Sequence, residues 1–353
     1  MSDRFKGVPE IVTATAAGIA LLYFLRDIII PFILAIVLAV LVSALVRFIG
    51  TRSPKAPRWA SELVAGLIVI LSAVAVALIT ARGVGGMFRE APALIDRLEG
   101  LVQQIGMAIG LTRPLHLATL VGNVSIADLA GNVAGGLSDF ASGMILMVTY
   151  FVFMLAERAH APKKLARLAS SRDGAKGLEA AMNRISSNIE TYLWVQTVTG
   201  VMIAAASFLV MFAAGLDNAM FWTTLLFLLS FIPLIGVTVG SIVPALFALL
   251  QFPTWWQAAV VFGGIQVVAF VVGNLIYPRM QAETQNISPV ATLLSLAFWG
   301  WMWGIIGAFL AVPMTLIVMM ICAQFPRSRW LAVLLSNDGR IASLEQTPAP
   351  RRG

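Results

Sequence analysis

The sequence predicts an all-α polytopic membrane protein with about eight membrane-embedded hydrophobic segments, two of them broken or re-entrant, and a small helical extracytoplasmic insertion. Three observations carry that prediction. Of the 353 residues, 59% are hydrophobic and 12% charged, against ~45–50% and ~25% in soluble globular chains. Residues 218–278 and 284–326 contain no charged side chain at all, so neither run offers a surface that water could solvate. The apolar runs are also long and continuous, unlike the ~10-residue alternating strands of a membrane barrel, and a mean hydropathy of +0.90 excludes disorder, which needs low hydrophobicity.

A helix needs ~20 apolar residues to cross the hydrocarbon core, and the spans follow in order. The first runs from Pro9 to Leu25 behind Arg4 and Lys6. It ends at Arg26-Asp27 with no small-residue cleavage pattern, so it reads as an uncleaved anchor rather than a signal peptide. The second covers 28–49, the third 62–81 and the fourth 140–156. Between the third and fourth, Met87, Ala91, Leu94, Ile95, Leu98, Leu101, Val102 and Ile105 recur at gaps of mostly three and four, one apolar face of a helix. Ser125 followed by Asp128 resembles a capping box opening another helix. This insertion reads as a small helical cap along the membrane surface. Residues 157–190 are polar and basic and lead into a fifth span from Thr191 to Gly215.

Charge sets the expected orientation. The chain carries 24 basic and 17 acidic residues, a net +7. With the amino terminus inside, segments 1–8, 47–60, 157–190 and 324–353 hold 18 basic residues, and the outer segments hold 5. The positive-inside rule therefore puts both termini in the cytoplasm and makes the basic cluster a cytoplasmic loop, not a nucleic-acid site. The expected divisions are the first three spans (1–81), the insertion (82–139), the fourth span and basic loop (140–190), a transport core (191–323) and a cytoplasmic tail (324–353).

The core contains two segments too long for one crossing. Residues 220–250 would form a helix of ~46 Å against a hydrocarbon core of ~30 Å, and Pro233, Gly236, Gly240 and Pro244 interrupt it. Residues 288–323 repeat the theme with Gly304, Gly307 and Pro313. Trp255 to Tyr277 forms an ordinary span between them. Either both long segments are kinked spans, or both are re-entrant hairpins. Hairpins would make the two halves of the core an inverted repeat, with substrate held near broken helices at the midplane. Broken helices free backbone N–H and C=O groups, which lipid tolerates only where protein or a wet cavity covers them. Gln196, Gln266 and Asn274 add polar side chains within spans, and Pro278-Arg279 closes the seventh. Arg279 serves either as an interfacial anchor or as a partner for an anion or for Glu283. These twelve residues, Gln196 through Pro313, form the candidate substrate path.

Catalytic constellations are missing. His116 and His160 lie in loops on opposite sides, Cys322 is the single cysteine, and there is no P-loop or H-E-x-x-H. The expectation is no enzyme activity, no cofactor and no metal. The partners expected are the lipid bilayer and a small-molecule or ion substrate, with further copies of the chain as a candidate and no nucleic acid.

Phe231-Ile-Pro-Leu-Ile-Gly236 with Gly240 and Pro244, Asn274-Leu-Ile-Tyr-Pro278-Arg279 followed by Ser288-Pro289-Val290, and Gly304-Ile-Ile-Gly307 through Pro313 resemble, in order and spacing, the signatures of the autoinducer-2 exporter-like family of bacterial membrane proteins. Tyr192-Leu-Trp-Val-Gln196 is similar to the family's Y-x-x-G-Q motif, with Val195 in place of the glycine. Val237 stands where the family usually has proline. The resemblance implies a secondary transporter of the bacterial inner membrane: an exporter of a small signalling molecule for some members, a sodium or lithium/proton antiporter for others. An antiporter ordinarily uses an intramembrane carboxylate, and the acids nearest the core, Asp139, Glu157, Asp217 and Glu283, stand at span ends. Movement of an uncharged solute is therefore the leading expectation, cation/proton exchange the second, and a non-transporting scaffold the third.

Overall fold

The computed structural model describes residues 8–52, 57–108, 126–157, 172–281, 287–324 and 328–339. The basic stretch 158–171, residues 282–286 of the connection 278–289 and the Ser125 end of the capping box lie outside the described residues. All named elements are helical. They are α1 (Val8–Phe24), α2 (Arg26–Arg52), α3 (Arg58–Ala108), α4 (Ile126–Glu157), α5 (Arg172–Ala213), α6 (Ala219–Ser230), α7 (Gly236–Gln251), α8 (Trp256–Val271), a π-helical turn (Val272–Ile276), α9 (Tyr277–Gln281), α10 (Pro289–Gln324) and α11 (Arg329–Leu335). Five stretches are long and apolar enough to cross a membrane: Arg26–Gly50, Ala60–Gln104, Ser186–Ala213, Trp256–Met280 and Pro289–Ala323.

The amphipathic stretch from Met87 is not a separate helix. It continues the third span without a break, as part of the 51-residue α3, and α4 likewise runs from Ile126 into the fourth span. Gly83, Gly85 and Gly86 do not interrupt α3, and two of them serve packing. A Cβ on Gly83 would overlap the ring of Phe221, and one on Gly86 would stand 3.3 Å from the Asn218 side chain.

The chain forms two compact units. One comprises residues 1–62, 142–193 and 283–353, the other 63–141 and 194–282. In the second unit, Met211, Trp222, Leu226, Phe247, Ala248, Val261 and Ile265 from α5 to α8 make a continuous apolar core, with Met87 and Leu94 of α3 against it.

Within that unit, residues 220–250 fold back on themselves. α6 stops at Ser230, residues 231–235 turn, and α7 returns. Trp222 near one end packs on Phe247 near the other, ring centroids 5.2 Å apart; on a straight helix 25 residues would separate them by ~37 Å. Gly240 lets the legs close, because a Cβ there would stand 2.9 Å from Leu229 and 3.2 Å from Leu226. Lipid supplies no hydrophobic drive between helices, so such close packing is what holds the legs together. The open end is tied by Gln251, whose Nε2 donates to the Gly215 carbonyl at 3.0 Å while its Oε1 accepts from the Asp217 N–H at 2.9 Å.

The first unit holds the second fold-back. α10 breaks at Gly304, where φ is 64° and ψ −143°, a region reserved for glycine. Buried Thr315 donates its hydroxyl to Ser295 Oγ at 2.7 Å across the legs. At the open end the Ser288 N–H donates to the Leu335 carbonyl at 2.9 Å, and Ile287 bridges Ser336. The start of α10 and the segment after its end therefore lie side by side. α11 has 7 residues, a length of ~10 Å.

Candidate functional site

The tip of the first hairpin is built from its backbone up. Pro233 has no N–H to continue α6, and Leu234 adopts φ 68°, the left-handed region that a non-glycine residue enters only where its surroundings hold it. The tip closes through Ile232 N–H to Leu229 O at 2.9 Å, Ile235 N–H to Pro233 O at 2.8 Å and Gly236 N–H to Ile232 O at 3.1 Å. Gly236 is buried against the previous leg: a Cβ there would overlap the Leu229 carbonyl oxygen and stand 3.1 Å from Ile232 Cβ.

Gln196 of α5, buried, donates its Nε2 to the carbonyl of Ser230, the last residue of α6. The Ser230 hydroxyl turns back to the Phe227 carbonyl at 2.7 Å. One turn along α5 from Gln196, Gly200 leaves the room that Ser230 occupies, since a Cβ there would stand 2.5 Å from Ser230 Oγ. Thr199, also buried, donates to the Val195 carbonyl at 2.8 Å. The result is a cluster of amide, hydroxyl and carbonyl groups with no charged side chain, set where a helix ends inside an apolar segment. Such a cluster can exchange hydrogen bonds with a small hydroxyl- or carbonyl-bearing solute; it offers no fixed charge to hold an organic ion.

Of the remaining candidates in this unit, Gly240 and Pro244 are buried in α7, where Pro244 removes the helix donor to the Gly240 carbonyl. Gln266 of α8 is half-buried, and its Oε1 is buried without a hydrogen-bond partner among the described residues. Asn274 is exposed and spends its amide on the Phe270 carbonyl of its own helix at 3.0 Å. It lies in the π-helical turn that precedes Pro278, where the Tyr277 N–H reaches back to Val272 O. Arg279 is exposed; its candidate partner Glu283 lies outside the described residues.

Gly304, Gly307 and Pro313 belong to the other compact unit. Gly307 is buried, and a Cβ on it would overlap the Trp299 carbonyl oxygen and stand 2.9 Å from Trp303 Cβ. Pro313 is fully buried. Around this tip Trp303 donates its indole N–H to the Leu22 carbonyl at 3.1 Å, and Trp301 stacks on Tyr23 with centroids 6.1 Å apart. The tip thus rests on the carboxyl end of α1.

Several residues escaped the sequence reading. Ser230 carried a signal, standing directly before F-I-P-L-I-G. Leu234 carried none, because leucine gives no hint of a positive φ. Glu190 was missed because the fifth span was begun at Thr191, whereas the apolar helix starts at Ser186. Its carboxylate is paired with the Arg47 guanidinium of α2.

A many-helix membrane chain with two glycine- and proline-broken hairpins and no catalytic cluster among the described residues has the make-up of a membrane transporter. The chain matches the AI-2E family transporter description over residues 12–327, and it belongs to that family. It is 27% identical over 321 residues to the AI-2 transport protein TqsA of Escherichia coli (strain K12), covering 89% of this chain and 91% of that one. A Haemophilus influenzae chain is 28% identical over 88% of this chain and 90% of its own length. The Escherichia coli (strain K12) protein YhhT is 25% identical, covering 82% of each.

Proposed function

We propose that this chain is a secondary transporter that exports a small uncharged solute of the autoinducer-2 class across the bacterial inner membrane. Both termini face the cytoplasm, and both hairpins are re-entrant. The observation that carries the reading is the first hairpin's tip, where Gln196, Ser230 and a broken backbone put uncharged hydrogen-bonding groups inside an apolar segment. The tie between Ser288 and Leu335 supports a cytoplasmic position for the connection 278–289, given the basic tail that follows. The family and the name of TqsA support the solute class.

The test is flux of AI-2 into proteoliposomes containing the purified chain. Uptake that saturates, and that Gln196→Leu abolishes, is the expected result. No AI-2 flux would remove the substrate assignment. A second reading, sodium or lithium/proton antiport, is favoured by Glu190, a buried carboxylate in a spanning helix of the kind that exchange of a proton for a cation uses. Proteoliposomes loaded with a sodium-sensitive dye and given a proton gradient decide it: gradient-driven sodium movement supports antiport, and its absence alongside AI-2 flux supports the first reading. No flux in either assay leaves a scaffold.

A further inference from the structure

The geometry points to Glu190 as the group that binds the coupling proton, with Arg47 as the cation that the proton replaces. This rests on the reading of the chain as a secondary transporter. Glu190 lies inside the apolar stretch Ser186–Ala213, and it is the one buried Asp or Glu among the described residues, 7% exposed. The charged group against it is Arg47 of α2. Its neighbours on α5, Asn188, Ile189, Thr191 and Tyr192, are uncharged, and Thr191 turns its hydroxyl to the Ser187 carbonyl at 2.9 Å.

The pair is lopsided. The Glu190 side chain is 9% exposed and that of Arg47 65%. Arg47 can therefore withdraw into headgroups or water without losing its solvation, but a bare carboxylate left behind would be a buried unpaired charge. The carboxylate escapes that state by taking a proton. Hydronium gives a proton to a Glu190 carboxylate oxygen and becomes water; the O–H bond is the one bond formed, and Arg47 stays cationic throughout. The reverse step returns the proton to water as Arg47 comes back. Burial opposes the charge on Glu190, and Arg47 opposes its loss.

Position makes the exchange useful. α5 passes from one compact unit to the other between Leu193 and Trp194, just past Glu190. Gln196, which holds the hairpin tip at Ser230, lies ~9 Å further along the same helix. A proton at Glu190 unties α5 from Arg47 of α2, six residues before Gln196 on the helix that carries the solute site.

The experiment uses the full chain in proteoliposomes, with AI-2 as probe and an imposed pH gradient. A one-unit gradient drives up to ~10-fold accumulation at one proton per solute. Wild type should accumulate AI-2, Glu190→Gln should not, and Glu190→Asp should restore dependence on the gradient; membrane yield and melting temperature check folding. In parallel, infrared difference spectra of the purified chain between acid and alkaline pH should show a protonated-carboxyl band that Glu190→Gln removes and Glu157→Gln keeps. Accumulation by Glu190→Gln, or accumulation in wild type indifferent to pH, overturns the proposal. If wild type moves no AI-2, the cargo assignment fails by itself, and the infrared band decides the proton site: its loss in Glu190→Gln supports the site, its absence in wild type overturns it.

Discussion

Cysteines at Ser295 and Thr315, placed in a Cys322→Ser background, read the shape of α10 directly. Twenty residues separate the two positions, so on a straight helix they stand ~30 Å apart at ~1.5 Å per residue. A kinked span improves on this only partly. From the break at Gly304, the legs to the two positions measure ~13.5 and ~16.5 Å, and a right-angle bend still leaves ~21 Å between their ends. A disulfide needs Cβ atoms ~3.5–4.5 Å apart. The structure has the two hydroxyl oxygens 2.7 Å apart, so a full reversal puts both sulfurs in bonding range and nothing short of it does. Membranes oxidised with copper phenanthroline, denatured and treated with a maleimide–polyethylene glycol should yield chains with no added mass; reduced first, the same chains take two adducts. Two adducts after oxidation, in protein that still inserts, would refute the fold-back and leave α10 a kinked span.

Three further outcomes follow from the same geometry. Gly236→Ala and Gly307→Ala each drive a Cβ into a backbone carbonyl and should lose ~1–3 kcal/mol by overpacking, with flux falling further than folded yield; Gly263→Ala, with open space around it, should be neutral in both melting temperature and flux. Gln196→Leu leaves the buried Ser230 carbonyl without its donor, a cost of ~1–3 kcal/mol, visible as a lower melting temperature alongside lost AI-2 uptake. A single cysteine at Thr284 or Ser171 should react with an impermeant maleimide in inverted vesicles, and one at Thr112 in intact cells; labelling of Thr284 from outside would put the connection 278–289 on the wrong face for a re-entrant second hairpin.

How much of this was legible in the sequence depended on whether the signal was local. Length against bilayer thickness, with the breaks at Pro233 and Gly304, points to two abnormal segments and favours hairpins moderately over kinked spans. Only contacts distant in sequence, Trp222 with Phe247 and Ser295 with Thr315, separate the two. Gly236 and Gly307 were singled out as breakers, and the structure gives each a further duty as a point of close approach. Asn274 reads as a site residue because it is an amide inside a span; its Nδ2 donates to the Phe270 carbonyl of its own helix, a contact the pattern does not announce. The insertion was read from its amphipathic period, which describes a helix equally well whether it lies on a surface or extends a span. Glu190 fell one residue outside a span boundary, and boundaries are where pattern reading is weakest.

The short legs of the first hairpin have a consequence for how the chain is made. α6 has 12 residues and α7 has 16, lengths of ~18 and ~24 Å, so neither can bridge a ~30 Å hydrocarbon core alone. When α6 leaves the ribosome it cannot settle as a crossing helix, and the face it turns to α7 has no partner until α7 and the Gln251 clasp on Gly215 and Asp217 exist. The pair must therefore enter the bilayer as one object, after its second leg is complete. A nascent chain halted between Ile235 and Gln251 would hold α6 in the insertion machinery, and release would begin only as Gln251 emerges.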